Sequence, residues 1–351
     1  MHICALAIHD LRNLESVQIE AGPGIHWLYG ANGSGKTSVL EAIFLLARGR
    51  SFRSATLSPV IRDGARQARI VVRTATPEHR LGVQRSAGEW SGRIDGRDCG
   101  RVSEFARCLP LVLVDPENHQ LLEGPPAQRR SYLDWLMFHV EHGYLENWRR
   151  YQRALRQRNA ALRDSAGAAT LDALEASMAA PAAAVDRCRA EWVAQLAAVL
   201  GDVQAEIGFR LPRLELAYRS PAALEGDYLE QWQKNRERDR ALAHTRDGPH
   251  RADLLVREAG RPVASRFSRG QMKLGALLLR LAALSLQQRR GQTPLLLLDD
   301  PVSELDRPHL TALLEWLPRQ ASQVWVTAVD PEPSVESRMF HVEQGKIQPM
   351  L

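Results

Sequence analysis
The chain opens with apolar and polar positions in alternation. Ile3-Cys4-Ala5-Leu6-Ala7-Ile8, Val17-Gln18-Ile19 and Gly24-Ile25-His26-Trp27-Leu28-Tyr29 read as short strands. A glycine-rich turn follows, and then an apolar run from Lys36 to Ala47 that predicts a helix. Arg69–Arg73, Leu81–Val83 and Leu111–Val114 predict further strands. At Gly124-Pro125-Pro126 the pattern changes. From Gln128 to about Gly201 the apolar residues recur at helical spacing in sequence rich in Ala, Arg and Leu, with a break expected at Ser165-Ala166-Gly167 and a kink at Pro181. A second helical stretch is expected over Ala222–Leu242. After Gly248-Pro249 the α/β character returns and lasts to the end. The pattern therefore predicts an α/β head domain formed by 1–123 and 246–351, interrupted by a helical insertion at 124–245. It contains no internal repeat, and neither helical stretch sustains enough heptads for a long coiled coil.

Composition narrows the class. At 351 residues and 44% hydrophobic content the chain can bury a sizeable core and divide into domains. A charged fraction of 25% excludes a disordered or membrane-embedded chain. No apolar run approaches the roughly 20 residues that span a bilayer. Met1-His2-Ile3-Cys4-Ala5 lacks the pattern of a secretory leader, so an unprocessed cytoplasmic protein with no membrane partner is expected. Cys4, Cys99, Cys108 and Cys188 form no CxxC pair and are expected to be reduced and structural. The net charge of +5 suits a nucleic-acid partner without establishing one. Only four of the 46 basic residues are lysines, and two of those, Lys36 and Lys273, fall inside the motifs below.

Gly30-Ala31-Asn32-Gly33-Ser34-Gly35-Lys36-Thr37 matches GxxxxGK[ST] in full, between a predicted strand and a predicted helix. Glycines let the backbone curl so that its N–H groups point at phosphate oxygens, and the helix aims its positive end at the same anion. Lys36 is expected to reach the β- and γ-phosphates of ATP, and the Thr37 hydroxyl to ligate Mg²⁺. Pro294-Leu295-Leu296-Leu297-Leu298-Asp299-Asp300 reads as a buried parallel strand ending in two acids, where α/β sheets bind ligands. Asp299 is expected to hold Mg²⁺, directly or through water, and Asp300 to orient or deprotonate the attacking water.

Ser268-Arg269-Gly270-Gln271-Met272-Lys273 opens an apolar helix running to about Gln287, and Ser303-Glu304-Leu305-Asp306 follows the acidic strand. A P-loop, a Ser-x-Gly-Gln helix start and an acidic strand, in that order, is the arrangement of ABC-type ATPase heads. In such heads the Ser-Gly-Gln helix meets the γ-phosphate held by a partner subunit. Ser268 is also a favoured N-cap residue, and the two roles are compatible because a helix N-terminus is an anion site.

Taken with these motifs, several segments resemble the bacterial RecF proteins, SMC-like members of the ABC ATPases. They are Asp10-Leu11-Arg12-Asn13, the P-loop through Ile43, Gly49-Arg50-Ser51-Phe52-Arg53-Ser54, Gly124-Pro125 with Arg129-Arg130 and Leu133-Asp134, Gln157–Leu162 and Asp247-Gly248-Pro249-His250-Arg251-Ala252-Asp253-Leu254. The resemblance implies an ABC-type P-loop ATPase head with an inserted helical lobe. It implies a homodimer formed on ATP that binds double-stranded DNA near gaps or junctions. It also implies cooperation with RecO and RecR in loading RecA on single-stranded DNA. The nucleotide set it implies is the P-loop from Gly30 to Thr37 with Ser268, Gly270, Gln271 and Asp306, and with Lys36, Ser268 and Asp300 in catalysis. Arg12 has two readings, beside the adenine as in related heads, or structural.

The chain departs from transporter ATPases in three places. Asp300 is one carbon shorter than their usual Glu, Thr327 stands where they carry a switch His, and Pro116-Glu117-Asn118 occupies the segment where they carry a Gln. Slow hydrolysis is the expectation, with ATP binding setting the DNA-bound state and hydrolysis ending it. Two other readings compete: a transporter's ATP-hydrolysing subunit, and an ATP-binding scaffold with negligible turnover. The role of His250 is left open.

Arg129, Arg130, Arg149, Arg150, Arg153, Arg156, Arg158 and Arg163 outnumber Asp134, Glu141 and Glu146 over 129–163. Arg149, Arg153 and Arg156 share one helix face. Such a face suits DNA phosphates; it equally suits a solvated helix with pairs such as Glu146–Arg150. Lys234-Asn235-Arg236-Glu237-Arg238-Asp239-Arg240 alternates in sign and reads as a solvated face.

Overall fold
The computed structural model describes residues 1–54, 60–86, 89–138, 143–221, 228–321, 323–331 and 336–350. Glu141 and the 222–227 part of the second helical stretch lie outside them. The chain divides into two compact units. The first comprises residues 1–118, 203–210 and 277–351, the second 119–202 and 211–276.

The first unit holds two six-stranded sheets. One is antiparallel, in the order Leu14–Glu20, His2–Leu11, Gln67–Ala75, His79–Ser86, Trp90–Ile94, Arg97–Asp98. Its strands alternate because one face is buried: Ile3, Leu6 and Ile8 point into the core with Ile70, Val72, Leu81 and Val83. The other sheet is mostly parallel, in the order Lys346–Met350, Ser337–Glu343, Gly24–Tyr29, Gln323–Ala328, Leu295–Leu298, Leu111–Val114. Its central strands are mostly apolar, and all four leucines of Leu295–Leu298 are fully buried. The helix Lys36–Arg48 packs against both sheets, with Val39, Leu40, Ile43 and Leu46 inaccessible to solvent. It carries apolar residues on every side because it has core on every side.

The second unit carries the helices Pro126–Phe138, Tyr144–Arg163, Tyr228–Lys234 and Arg236–Leu242, most of the long helix Ala168–Ile207, and a three-stranded sheet. The expected break at Ser165-Ala166-Gly167 falls between the helices Tyr144–Arg163 and Ala168–Ile207, and Pro181 lies inside the latter. Two buried arginines organise its interior. Arg158 bonds Glu175, Asp239 and Thr245, and Arg189 bonds Asp134, Tyr144 and the carbonyl of Pro249. Each buried cation is balanced by buried carboxylate, the condition under which such charges are tolerated.

The unit boundaries differ from those read in the sequence. The expected insertion ended at 245, whereas the second unit continues to Ala276. The reason is pairing at long range. Asp253–Glu258 lies antiparallel to Glu215–Arg219, and Arg129 holds Asp253 in a two-pronged ion pair at 2.8 and 3.1 Å. Residues 203–210 go with the first unit, where Glu206 accepts from the Trp316 indole and Phe209 meets His309 edge-on.

Candidate nucleotide site
The glycine-rich turn leaves the strand Gly24–Tyr29 and enters the helix Lys36–Arg48. Gly30 and Gly35 adopt φ of +142° and +119°, and the path is crowded as well as left-handed. A Cβ on Gly30 would stand 2.3 Å from the Val342 carbonyl oxygen, and one on Gly35 would stand 2.8 Å from Leu14. Two other segments brace the turn. Asn13 donates to the Gly33 carbonyl and accepts from the Ser38 hydroxyl, and the Gly345 amide donates to the Ser34 carbonyl at 2.8 Å.

The turn is built to hold an anion. The helix has no side-chain cap, and the amides of Gly35, Lys36 and Thr37 have no acceptor among the described residues. The buried Ser34 hydroxyl also lacks a partner among them. Lys36 Nζ curls over the loop onto the carbonyls of Gly30 and Ala31, at 2.6 and 2.9 Å. Burial pulls its pKa down, and Asp300 and Asp299 pull it back up.

The two acids arrive from the parallel sheet. Thr37 Oγ1 donates to Asp299 Oδ1 at 2.8 Å, and Thr327 Oγ1 donates to the same oxygen at 2.7 Å. Burial raises the pKa of Asp299, and the two hydroxyl bonds oppose that rise. Asp300 takes the left-handed conformation, φ +51°, and its amide donates to Thr327 Oγ1 at 2.9 Å. Asp300 Oδ1 is buried without a partner among the described residues. A cleft of about 730 Å³ is lined by Asn32, Gly33, Gly35, Lys36, Thr37, Arg12, Asp300 and Thr327, with Arg53, Arg62 and Val329. One hydroxyl and one carboxylate at the mouth of a phosphate cradle form the donor set a Mg²⁺ ion needs when phosphates and water complete its shell.

Arg12 joins the cleft to the helix behind it. It lines the cleft, and it is locked by a two-pronged bond to the fully buried Glu41 at 2.9 and 2.7 Å. Glu41 and Ser51, which donates to it, carried no signal in the sequence, since a carboxylate inside an apolar helix has meaning only beside its arginine.

Ser268, Gly270 and Gln271 belong to the second compact unit, at the exposed start of the helix Arg269–Arg289. Ser268 Oγ accepts from the Gln271 amide at 3.3 Å, and Gln271 Oε1 accepts from the Ser268 amide at 2.9 Å. This is a capping box, which fixes the helix start in one conformation. Asp306 caps the helix Arg307–Trp316 by accepting from the His309 amide at 3.0 Å. In Pro116-Glu117-Asn118, Asn118 is buried and accepts from Arg280 Nε at 2.9 Å. His250 is held between the Tyr151 hydroxyl and the Thr245 carbonyl, and burial lowers its pKa to about 4. It is a neutral structural residue.

The arginines of 129–163 divide into two groups. Arg129, Arg130 and Arg158 are engaged with the protein, so the expected eight-member basic surface is smaller. Arg149, Arg150, Arg153, Arg156 and Arg163 are exposed and have no ion pair among the described residues, and the Glu146–Arg150 pair is not formed. On the alternating segment, Arg236 pairs with Asp172 and Glu175, Arg238 with Asp247, and Arg240 with Glu237, but Asp239 is buried against Arg158, so the segment is not the wholly solvated face its sequence predicted.

A buried helix behind a phosphate-cradling turn, set between a parallel and an antiparallel sheet, is the framework of an ABC-type ATPase head. The family model of the RecF/RecN/SMC N terminal domain matches residues 2–346. The chain is 40% identical to the DNA replication and repair protein RecF of Erwinia tasmaniensis over 358 residues, covering 99% of this chain and 98% of that one. It is 39% identical to the protein of the same name from Escherichia coli O1:K1 over 359 residues, covering 99% of each. In structure it is similar to the recombination mediator protein RecF-ATPrS in the RecFOR pathway, with a TM-score of 0.89 at 24% identity over all of this chain and 98% of that one. An SMC head bound to the C-winged helix domain of ScpA follows the same fold at a TM-score of 0.61 and 14% identity, over all of this chain and 97% of that one. The chain belongs to the RecF family.

Proposed function
We propose that this chain is an ATP-driven DNA-binding switch of recombinational repair and replication-fork maintenance. The observation that carries the reading is the bond from Thr37 to Asp299, which joins the phosphate cradle to the acidic strand at one point. Thr37 and Asp299 would hold Mg²⁺, which neutralises phosphate charge when bound. The loop amides and Lys36 bind the β- and γ-phosphates, Arg12 stands near the base, and Asp300 orients the attacking water. Ser268, Gly270 and Gln271 of one protomer, with Asp306, close on the nucleotide held by the other. The exposed cap at Ser268 supports that reading, since a serine-tipped helix start is free to meet a second copy.

DNA is held through phosphates, and the exposed, unpaired arginines of the helix Tyr144–Arg163 support this. The dimer binds duplex DNA at gaps or junctions and works with RecO and RecR to load RecA on the single strand. The names of the relatives, DNA replication and repair protein RecF and a RecFOR-pathway mediator, favour this over a transporter role. Hydrolysis is slow and stimulated by DNA.

The test is ATP-dependent dimerisation, measured by sedimentation with Mg-ATP and gapped DNA. Wild type should pair, Lys36→Met should lose nucleotide affinity, and Ser268→Arg should bind nucleotide but stay single. Wild-type chains that remain single while saturated with nucleotide would overturn the proposal. Turnover measured with and without gapped DNA separates the switch from an inert scaffold, which would show none.

A further inference from the structure
We infer that the second unit carries a cleft that seats one unpaired nucleotide of a DNA strand, with its phosphate on Arg246 and Arg251. The inference rests on the DNA-binding reading above and names where the single strand is held. The cleft encloses about 570 Å³, the size of a small-ligand site, and lies between Arg219-Ser220-Pro221 and the segment Leu242–Arg251. Arg246 and Arg251 are exposed, and neither has an ion pair among the described residues. Arg219, on the same lining, is 3.5 Å from Asp253. The one acid on the lining among the described residues, Asp247, is already neutralised by Arg238 and bonded by Asn235.

The segment that presents these arginines is rigid. Thr245 is buried against Asn159 and Arg158, at 2.7 Å from each. Trp232 donates to the Asp247 carbonyl at 2.7 Å, and Arg189 donates to the Pro249 carbonyl at 2.6 Å. His250 is fixed at both ring nitrogens, and a Cβ on Gly248 would strike the Tyr151 hydroxyl at 2.4 Å. A connecting loop needs no such anchoring. Anchoring does serve a binding site, because it removes the ordering entropy that binding would otherwise oppose. This accounts for Asp247-Gly248-Pro249-His250-Arg251, a segment the nucleotide site leaves unused.

The apolar part of the lining decides the kind of ligand. Leu242 is 45% exposed, among the few large apolar side chains so placed, and with Pro221 it forms an apolar surface in the same cleft as the guanidinium groups. A duplex keeps its bases stacked inside and offers only phosphates. An unpaired nucleotide offers a phosphate for the arginines and a base for the apolar wall. An acidic peptide matches the charge but has no planar ring to cover Leu242.

The experiment compares binding of the full chain, with Mg-ATP, to a single-stranded oligonucleotide, its abasic counterpart, a duplex of equal length, and polyglutamate. In the double variant Arg246→Gln/Arg251→Gln, single-strand affinity should fall about tenfold or more. The log–log salt slope should become shallower by ~1.4, two contacts at ~0.7 each, while duplex affinity changes less than about twofold. Leu242→Gln should weaken binding of the normal strand and leave the abasic strand unchanged. Both arginines are exposed and unpaired, so the melting temperature should not move, and Lys at both positions should restore the salt slope. The inference is overturned if the double variant binds the strand as wild type does, if strand and duplex weaken equally, or if polyglutamate binds as tightly as the strand. Wild type that binds duplex but no single strand removes the cleft and leaves the DNA reading standing; wild type that binds neither removes both.

Discussion
The amide of Asp300 donates to the hydroxyl of Thr327 at 2.9 Å, and that same hydroxyl donates to Asp299. Thr327 therefore ties the two acids of the site together and holds Asp300 in its left-handed turn. Thr327→Val should lower turnover about tenfold or more while nucleotide still binds. It should also destabilise the protein by about 1–3 kcal/mol, because a buried amide loses its acceptor. Thr327→Ser should behave as wild type in both turnover and thermal unfolding.

Asp300 lines the cleft, and its Oδ1 is buried with no partner among the described residues. Asp300→Asn should reduce turnover roughly 100-fold or more and leave nucleotide affinity within about twofold. DNA-bound dimers should then persist, which dissociation measured by fluorescence would detect. An unchanged dissociation rate would separate hydrolysis from release.

Arg156 and Arg158 are two positions apart and opposite in role. Arg158 is fully buried between Glu175 and Asp239. Arg158→Met should cost about 3–5 kcal/mol in chemical denaturation, since it takes the buried partner from Asp239 and leaves Glu175 with Arg236 alone. Arg156→Ala should stay within about 0.5 kcal/mol of wild type.

The exposed face should report instead on DNA. Replacing Arg149, Arg153 and Arg156 with Gln should weaken duplex binding and make the log–log salt slope shallower by ~2.7, at ~0.9 per lost contact. A slope that stays at the wild-type value would move the duplex interface elsewhere.

His26 is buried against Trp325 and Phe340, and its pKa falls to about 4, chiefly through burial, with Arg338 adding to it. His250 falls to about 4 as well. Both native pKa values lie below the unfolded value, so the stability they contribute is full above about pH 6.5 and lost as pH drops towards 4. For His26 the loss is roughly 3 kcal/mol. Denaturation curves at pH 7 and pH 5 should show the drop, and His250→Gln should lessen it.

The nucleotide site was legible in the sequence to the extent that its chemistry is local. A cradle needs glycines at fixed spacing before a helix, and a buried strand ending in acids shows itself in four leucines and two aspartates. The part that was not legible depends on side chains meeting across the chain. The charge pattern around Arg158 does not distinguish it from Arg156, because Glu175 and Asp239 lie on other helices. Thr327 could be seen to replace a histidine, but its two hydrogen bonds to the acids need the parallel pairing of Leu295–Leu298 with Gln323–Ala328. The boundary at 245 missed for the same reason, since the strand Glu215–Arg219 that captures Asp253–Glu258 sits in sequence with little strand signal.

The bracing of the phosphate turn has a consequence for synthesis on the ribosome. The strand leading into the turn lies between Gln323–Ala328 and Ser337–Glu343, and the turn itself takes the amide of Gly345. All three are translated long after the strand and turn they flank. The ribosome thus makes the apolar strand and helix well before the segments that complete their surroundings, and the turn gains its bracing when these later strands slot in on either side of the earlier one.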